Sequence, residues 1–275
     1  MLRIGRIDYA NCTPLFMQLE DKLPGETTAI VHGVPATLNA RLAKGEIDIC
    51  ISSSIEFSRH ADDYAILPGH CIGSVGPVKS VLLFTNRPVE ELSGEQLLVT
   101  SESATSVILL QILLAKRWGL SGCSLQTSSV PWQDALQQSP GLLLIGDRAL
   151  QAASDIAAVH CYDLGQEWKN LTGLPFVYAL WLINRTSAKG KERALTQFSL
   201  LLEQARERIE PDAELLAARA PESVWAGVQP LADYWRHAIT YHLDAAHLAG
   251  LERFYAFAAE LGLISAAPQP VFYPL

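Results

Sequence analysis

The sequence predicts an α/β fold of two lobes that close on each other like a clamshell. Short apolar strands alternate with helices over residues 2–51 in a doubly wound pattern, and the alternation begins again near residue 95. Two long apolar stretches, 78–86 and 176–184, flank this second unit, and we interpret them as crossover strands that join two mixed, mainly parallel sheets. The predicted lobes are residues 1–84 with 181–275, which include the C-terminal helices, and residues 85–180.

The first strand and the loop after it carry the first candidate residue. Residues 2–7 are apolar enough for a strand, and Thr13 followed by Pro14 is typical of a helix N-cap and the first helical position, where proline's missing N–H has no cost. Asn11 is therefore expected at the carboxyl end of a strand, where open α/β sheets bind their ligands. The alternative is that Asn11 makes only turn hydrogen bonds, as loop asparagines often do.

The remaining elements follow from apolar runs, from helical spacing, and from Gly or Pro at the boundaries. Further strands are predicted at 27–32, 47–51, 64–68, 96–100, 125–130, 142–145 and 157–162. Helices are predicted at 15–23, 35–44, 107–118, 132–138, around 167–169, and at 189–208 and 243–262. We interpret Trp225, Tyr234 and Trp235, between the last two helices, as core residues because aromatic side chains dominate protein cores.

Composition excludes several classes of function. A formal net charge of −8 argues against nucleic acid as a partner, because phosphate binding needs a basic surface. No apolar run has the length of a membrane span, and no export signal precedes the first strand, so we expect a cytoplasmic protein without a membrane partner. The five cysteines lack CxxC spacing, which makes disulfides unexpected.

Cofactor and metal motifs are missing as well. There is no dinucleotide or phosphate-loop glycine pattern, no HExxH and no GxSxG motif, and the seven histidines are scattered. We therefore expect no cofactor and no metal. The expected partner is a small-molecule substrate, and the sequence leaves open whether the protein is a monomer or a homodimer.

Polar loops instead collect at the predicted ligand edge of the sheets. Hydroxyls and helix N-terminal amides bind carboxylates without a full countercharge, which would let an acidic protein hold a small acid. Thr105 and Ser106 are the strongest anion-site candidates, although N-capping alone would explain their type. The candidate residues are Asn11, Ser53, Ser54, Ser80, Ser103, Thr105, Ser106, Asp147, Thr172 and Gly173.

Five blocks resemble those of a known family, the chorismate dehydratases of the futalosine route to menaquinone. The first and the last are specific in combination, and the C-terminal helices carry no recognisable signature. The blocks are IDYANCTPL at 7–15, GPVKSV at 76–81, SATSV at 103–107, LIGD at 144–147 and WKNLTGLPF at 168–176.

The resemblance implies a fold like the type II periplasmic solute-binding proteins, with a lyase that dehydrates chorismate to 3-enolpyruvyl-benzoate in the cleft between the lobes. By motif, Asn11 is similar to the residue most directly tied to catalysis, Ser80 to a second cleft residue, and the other polar loops to carboxylate-binding segments. No His or Glu lies in the matched motifs, so we hypothesise that the substrate's enolpyruvyl carboxylate takes the proton. Asp147 is an alternative base, or a structural residue.

Two rival functions are kept. One is a cytoplasmic solute-binding protein for a small carboxylate, since the same clamshell commonly only binds. The other is the sister enzyme that forms dihydroxynaphthoate later in the same pathway, although its opening motif differs from residues 8–14 of this chain.

Overall fold

The computed structural model describes residues 1–155 and 160–275. Part of the strand expected at 157–162 lies outside these residues, and the described end of it is a strand. The strands are Leu2–Ile7 (β1), Thr28–Gly33 (β2), Ile49–Ser53 (β3), Tyr64–Ser74 (β4), Val81–Thr85 (β5), Gln96–Val99 (β6), Ser124–Thr127 (β7), Gly141–Ile145 (β8), His160–Asp163 (β9), Phe176–Asn184 (β10) and Thr240–His242 (β11).

The helices cover both faces of the sheets and make up most of the C-terminal third. They are Thr13–Leu19 (α1), Pro35–Ala43 (α2), Ser54–Arg59 (α3), Ala104–Ile112 (α4), Trp132–Gln138 (α5), Gly146–Asp155 (α6), Leu164–Thr172 (α7), Glu192–Arg219 (α8), Ser223–Ala226 (α9), Val228–His237 (α10) and Ala245–Glu260 (α11). No helix in the described ranges combines the length and the apolar character that a bilayer crossing requires.

Two sheets carry the fold, a first of six strands in the order β11-β4-β10-β3-β1-β2 and a second of five in the order β7-β6-β8-β5-β9. β1 is parallel to β2 and β3, and β6 is parallel to β7 and β8, whereas β10, β11 and β5 run antiparallel to their neighbours. The predicted mixed sheets are therefore confirmed. The expectation of mainly parallel pairing is wrong, because the strands beside the two interlobe connections run against their neighbours.

The two predicted crossover strands each stay within one sheet. In the described ranges, β5 pairs with β8 and β9 alone, and β10 with β3 and β4 alone. The left-handed backbone of Gly76 and Lys79 (φ 62°) interrupts the extended chain, so β5 begins only at Val81. The chain passes between the sheets through segments 75–80 and 173–175. Since 81–84 pair in the second sheet and 176–180 in the first, we propose lobe limits near residues 80 and 175.

The main core runs through both lobes, and a smaller one lies on the far face of the second sheet. Leu82 and Phe84 of β5 belong to the smaller core, and Val81 and Leu83 belong to the main one. Successive residues of a strand point to opposite faces, so β5 is buried on both sides. Packing in the two cores thus fixes the apolar strands. The loops at the carboxyl ends of the strands are then available to form a site.

Candidate active site

A cavity that is partly open to solvent lies between the two lobes. Its apolar walls come from both sheets, with Ile7 and Ile72 on one side and Val81 and Ile145 on the other. The polar groups of its lining come from the loops predicted at the ligand edge and from two tyrosines. These polar residues are Tyr9, Asn11, Ser53, Ser80, Glu102, Ser103, Ser106 and Tyr178.

Asn11 lies in the loop after β1 and lines the cavity. The backbone of this loop is held from the C-terminal region: Trp235 Nε1 donates to the Ala10 carbonyl oxygen at 2.7 Å, and the Tyr241 hydroxyl donates to the Asn11 carbonyl oxygen at 3.0 Å. The side-chain oxygen of Asn11 is buried and has no hydrogen-bond partner within the described residues. Because a buried polar atom without a partner is costly, this oxygen is suited to a ligand group.

Ser80 lines the cavity at the end of the first interlobe connection. The Tyr234 hydroxyl donates to Ser80 Oγ at 2.9 Å, and the Gly146 amide donates to the Ser80 carbonyl oxygen at 2.7 Å. The strained backbone of Lys79 just before it is supported by Asp163, whose carboxylate accepts the Lys79 amide at 2.7 Å. Ser80 is therefore fixed by contacts from both lobes.

Ser103 and Ser106 lie at the beginning of α4 and line the cavity. Ser103 is the N-cap and accepts the Ser106 amide at 3.1 Å, and its hydroxyl donates to Ser106 Oγ at 3.0 Å. Ser103 thus caps the helix and, like Ser106, also faces the cavity. Ser53, at the end of β3, completes the group of serines in the lining.

Ser54 and Thr105 are fully buried and lie outside the cavity lining. Ser54 Oγ donates to the Val177 carbonyl oxygen at 2.8 Å, and Thr105 Oγ1 accepts the Ile55 amide at 3.1 Å. Thr105 was expected to be among the strongest anion-site residues, but its hydroxyl instead joins α4 to the start of α3. The Thr105 bond therefore joins the two lobes, whereas the Ser54 bond lies within the first lobe.

Thr172 and Gly173 also lie outside the cavity lining. Thr172 Oγ1 donates to the Trp168 carbonyl oxygen at 2.8 Å, and Gly173 ends α7 with a left-handed backbone (φ 74°). This is a helix C-terminus of the kind that glycine favours, so the pair terminates a helix and does not extend the site.

Asp147, in the first turn of α6, is not among the cavity residues. Its Oδ1 accepts the Ala10 amide at 3.0 Å. Burial raises the pKa of this carboxyl to about 6; the hydrogen bond from Ala10 opposes the shift, and the nearby Glu222 and Glu102 carboxylates add to it. Asp147 thus links the second lobe to the loop that carries Asn11.

Three polar residues of the lining were not among the candidates from sequence. The hydroxyls of Tyr9 and Tyr178 are buried without a hydrogen-bond partner among the described residues, and burial raises the pKa of both, so both stay protonated. Glu102 is the one acidic side chain of the described lining, which contains no Lys or Arg. Tyr9 and Glu102 lie close in sequence to the predicted site residues Asn11 and Ser103, and this proximity could have indicated them. Tyr178 lies within an apolar strand, and no feature of the sequence marks it as a site residue.

The arrangement is suited to a small organic acid that also carries a hydroxyl. Serine and tyrosine hydroxyls supply neutral donors, and the Asn11 oxygen supplies an acceptor. The described residues contain no group of three His, Cys, Asp or Glu side chains placed to hold a metal ion, and the five cysteines are free.

Comparison with solved structures supports the two-lobe fold. The alkanesulfonate-binding protein of Xanthomonas axonopodis pv. citri, bound to MOPS, has a TM-score of 0.71 and 20% identity, over 98% of this chain and 95% of that one. The periplasmic aliphatic sulphonate binding protein of Escherichia coli has a TM-score of 0.70 and 19% identity, over 100% of this chain and 94% of that one. At these identities the likeness shows the fold alone, which is that of the periplasmic binding proteins, as the resemblance implied.

Comparison of sequences gives the family. A family profile described as menaquinone biosynthesis matches residues 2–260. The chorismate dehydratase of Thermus thermophilus is 33% identical over 289 residues, which cover 98% of this chain and 98% of that protein. The chain therefore belongs to the menaquinone biosynthesis family that the chorismate dehydratases represent.

Proposed function

We propose that this chain is a lyase that dehydrates chorismate to 3-enolpyruvyl-benzoate for menaquinone biosynthesis, with the interlobe cavity as its active site. One observation carries the proposal beyond family membership: three buried polar atoms of the cavity residues have no hydrogen-bond partner in the part of the chain that the structure describes. They are the side-chain oxygen of Asn11 and the hydroxyls of Tyr9 and Tyr178. A bound substrate would satisfy all three.

The cavity chemistry is compatible with chorismate, which has two carboxylates and a ring hydroxyl. The hydroxyls of Ser53, Ser103 and Ser106, with those of Tyr9 and Tyr178, are neutral donors to carboxylates. The N-terminus of α4 adds a favourable dipole beside Ser103. An anion can therefore be held in this acidic protein without a basic side chain in the described lining.

The reaction removes the ring proton beside the ether oxygen together with the neighbouring hydroxyl, and both leave as water. The ring becomes aromatic, so the elimination is strongly downhill and the protein has mainly to select it over rearrangement or loss of pyruvate. The base in this proposal is the substrate's own enolpyruvyl carboxylate, which lies close to the ring proton. The protein's part is then positioning and electrostatic stabilisation.

Asn11 and Ser80 would orient the reacting groups. The Asn11 amide oxygen can accept the hydrogen of the leaving hydroxyl, and its NH2 can donate to the enolpyruvyl carboxylate. Ser80 would donate to a substrate oxygen from the opposite side of the cavity. Both act as hydrogen-bonding groups and neither takes the proton.

Asp147 is the alternative base that the geometry favours less. A pKa of about 6 would suit a base near neutral pH. Its Oδ1, however, accepts the Ala10 amide, and the residue lies outside the cavity lining. We therefore propose a structural role for Asp147 as the link between the lobes.

We further propose that the protein works in the cytoplasm on a small-molecule substrate. Its five free cysteines, three of them buried, suit a reducing compartment.

The rival function is that of a binding protein without turnover, which the likeness to sulfonate-binding proteins favours. The purified protein should be incubated with chorismate alone, with no added cofactor, and the product identified by mass spectrometry. We expect a product lighter than chorismate by one water. Chorismate that binds but is recovered unchanged would favour the rival.

A further inference from the structure

The C-terminal region contacts both residues that are proposed to act on the substrate. Three aromatic side chains, two on α10 and one on β11, reach the site loops. Tyr234 donates to Ser80 Oγ, Trp235 to the Ala10 carbonyl oxygen, and Tyr241 to the Asn11 carbonyl oxygen. Of these, the bond from Tyr234 alone ends on a side chain that lines the cavity. The Tyr234 bond therefore affects how the Ser80 hydroxyl can bind a substrate.

We propose that Tyr234 is a positioning residue for Ser80: by donating its hydroxyl hydrogen to Ser80 Oγ, it leaves the Ser80 hydrogen free to be donated to the substrate. The inference rests on the proposed function and assigns a role to a residue that the sequence indicated only as core.

The hydrogen-bonding capacity of serine gives the reason. A serine hydroxyl has one hydrogen and two lone pairs. Tyr234 occupies one lone pair at 2.9 Å. Among the described residues, the one competing acceptor for the Ser80 hydrogen is the Val78 carbonyl oxygen, 3.4 Å away. The bond to Val78 is long, so a substrate oxygen in the cavity can displace it at little cost.

Tyr234 is the donor in this bond, with its hydroxyl oxygen 2.9 Å from Ser80 Oγ. The side chain is 3% exposed, and burial raises the pKa of its hydroxyl, so the hydroxyl keeps the hydrogen that it donates. A hydroxyl that accepts a hydrogen bond becomes a stronger donor itself, because neighbouring bonds polarise each other. Tyr234 thus both orients Ser80 and strengthens the bond that it gives to the substrate.

The test is a double-mutant cycle of Tyr234→Phe and Ser80→Ala, with chorismate turnover followed by loss of its diene absorbance. Phenylalanine keeps the buried ring, and thermal unfolding verifies that each variant folds. In the otherwise wild-type protein, Tyr234→Phe should lower kcat by about 10-fold with a smaller change in KM. In the Ser80→Ala background, the same change should alter kcat by less than about 2-fold.

Tyr255→Phe is the matched control. It also removes a buried hydroxyl of the C-terminal region, one that donates to the Ser54 carbonyl oxygen at 2.7 Å outside the cavity lining. We expect near wild-type kcat for this variant.

Equal losses from Tyr234→Phe in both backgrounds would give it a general structural role and overturn the inference. So would an unchanged kcat for Tyr234→Phe when Ser80→Ala is impaired. Both outcomes differ from failure of the proposed function itself, in which the wild-type protein leaves chorismate unchanged and the inference falls with it.

Discussion

The carboxylate of Asp147 accepts a hydrogen bond from the backbone amide of Ala10 at 3.0 Å, and this bond joins the two lobes beside the cavity. Asp147 belongs to the first turn of α6 in the second lobe, and Ala10 precedes Asn11 in the first. Burial holds the pKa of Asp147 near 6, so the link can change its charge in the weakly acidic range.

Asp147→Asn should change the dependence of stability on pH. The pKa in the folded protein is about 6, against an ordinary value of 3.8. Between these values the folded protein keeps a proton that the unfolded chain has lost, so the contribution of Asp147 to the unfolding free energy falls as pH rises and is constant above the window. The asparagine variant should lack this fall and should gain roughly 1–3 kcal/mol at neutral pH relative to wild type.

Denaturant unfolding of both proteins across the window measures this difference, and Asp62→Asn, on an exposed aspartate, controls for the lost charge. Parallel curves for wild type and Asp147→Asn would contradict the raised pKa. Turnover should stay within about 5-fold of wild type, whereas a loss of about 100-fold or more would identify Asp147 as the base.

Tyr241→Phe should loosen the loop that carries Asn11. The hydroxyl donates to the Asn11 carbonyl oxygen at 3.0 Å, so its removal should lower the unfolding free energy by about 1 kcal/mol. A small displacement of the Asn11 side chain should lower kcat several-fold with little change in KM. Steady-state kinetics combined with denaturant unfolding separate the two effects, and a loss of stability at full kcat would show that the loop stays in place without this bond.

Gly165→Ala should strain the first interlobe connection. A methyl group on Gly165 would collide with the carbonyl oxygen of Gly76 and would approach the Tyr178 hydroxyl to 2.7 Å. Overpacking of this kind costs about 1–3 kcal/mol, and displacement of Tyr178 from the cavity should also raise KM. Gly25→Ala is the control, because its methyl would meet nothing within 4 Å. Equal thermal stabilities of the two variants would contradict the close packing at Gly165.

A chorismate analogue that lacks the enolpyruvyl carboxylate tests the proposed base. The protein should bind it, since the ring carboxylate and the hydroxyl remain, but should not dehydrate it, because no group is left to take the ring proton. Calorimetry measures the binding, and chromatography measures the product. Efficient dehydration of the analogue would place the base on the protein.

Sequence patterns predicted most of the fold because strand and helix periodicity is local. The helix at 132–138 and the strand at 176–184 begin and end where the sequence indicated. The strand expected from 78 begins only at Val81, since the left-handed backbone of Lys79 is set by bonds to Asp163, more than 80 residues away in the chain. Contacts between residues so far apart in the chain cannot be predicted from the spacing of apolar residues within one segment.

The site was predictable to the extent that it lies at the carboxyl ends of strands. Asn11 and Ser53 line the cavity as that rule indicates, with Ser103 and Ser106 beside them. Ser80 precedes β5 and reaches the same edge because β5 runs antiparallel to β8. Thr172 and Gly173 lie outside the described lining, at the end of α7. A turn between elements has the same residue types whether it binds a ligand or ends a helix, so the sequence alone does not separate the two roles. It also could not find Tyr234, whose hydroxyl meets Ser80 only through the packing of α10.

The most direct test of the account is turnover by Asn11→Ala, measured as loss of the chorismate diene absorbance, with Asn170→Ala on the exposed face of α7 as control. If the amide orients the reacting groups, kcat should fall about 10²–10³-fold while the Kd for chorismate rises less than about 10-fold, because the amide acts mainly in the transition state. A kcat close to that of wild type, with chorismate still bound, would remove Asn11 from the mechanism and contradict the assignment of this cavity as the active site.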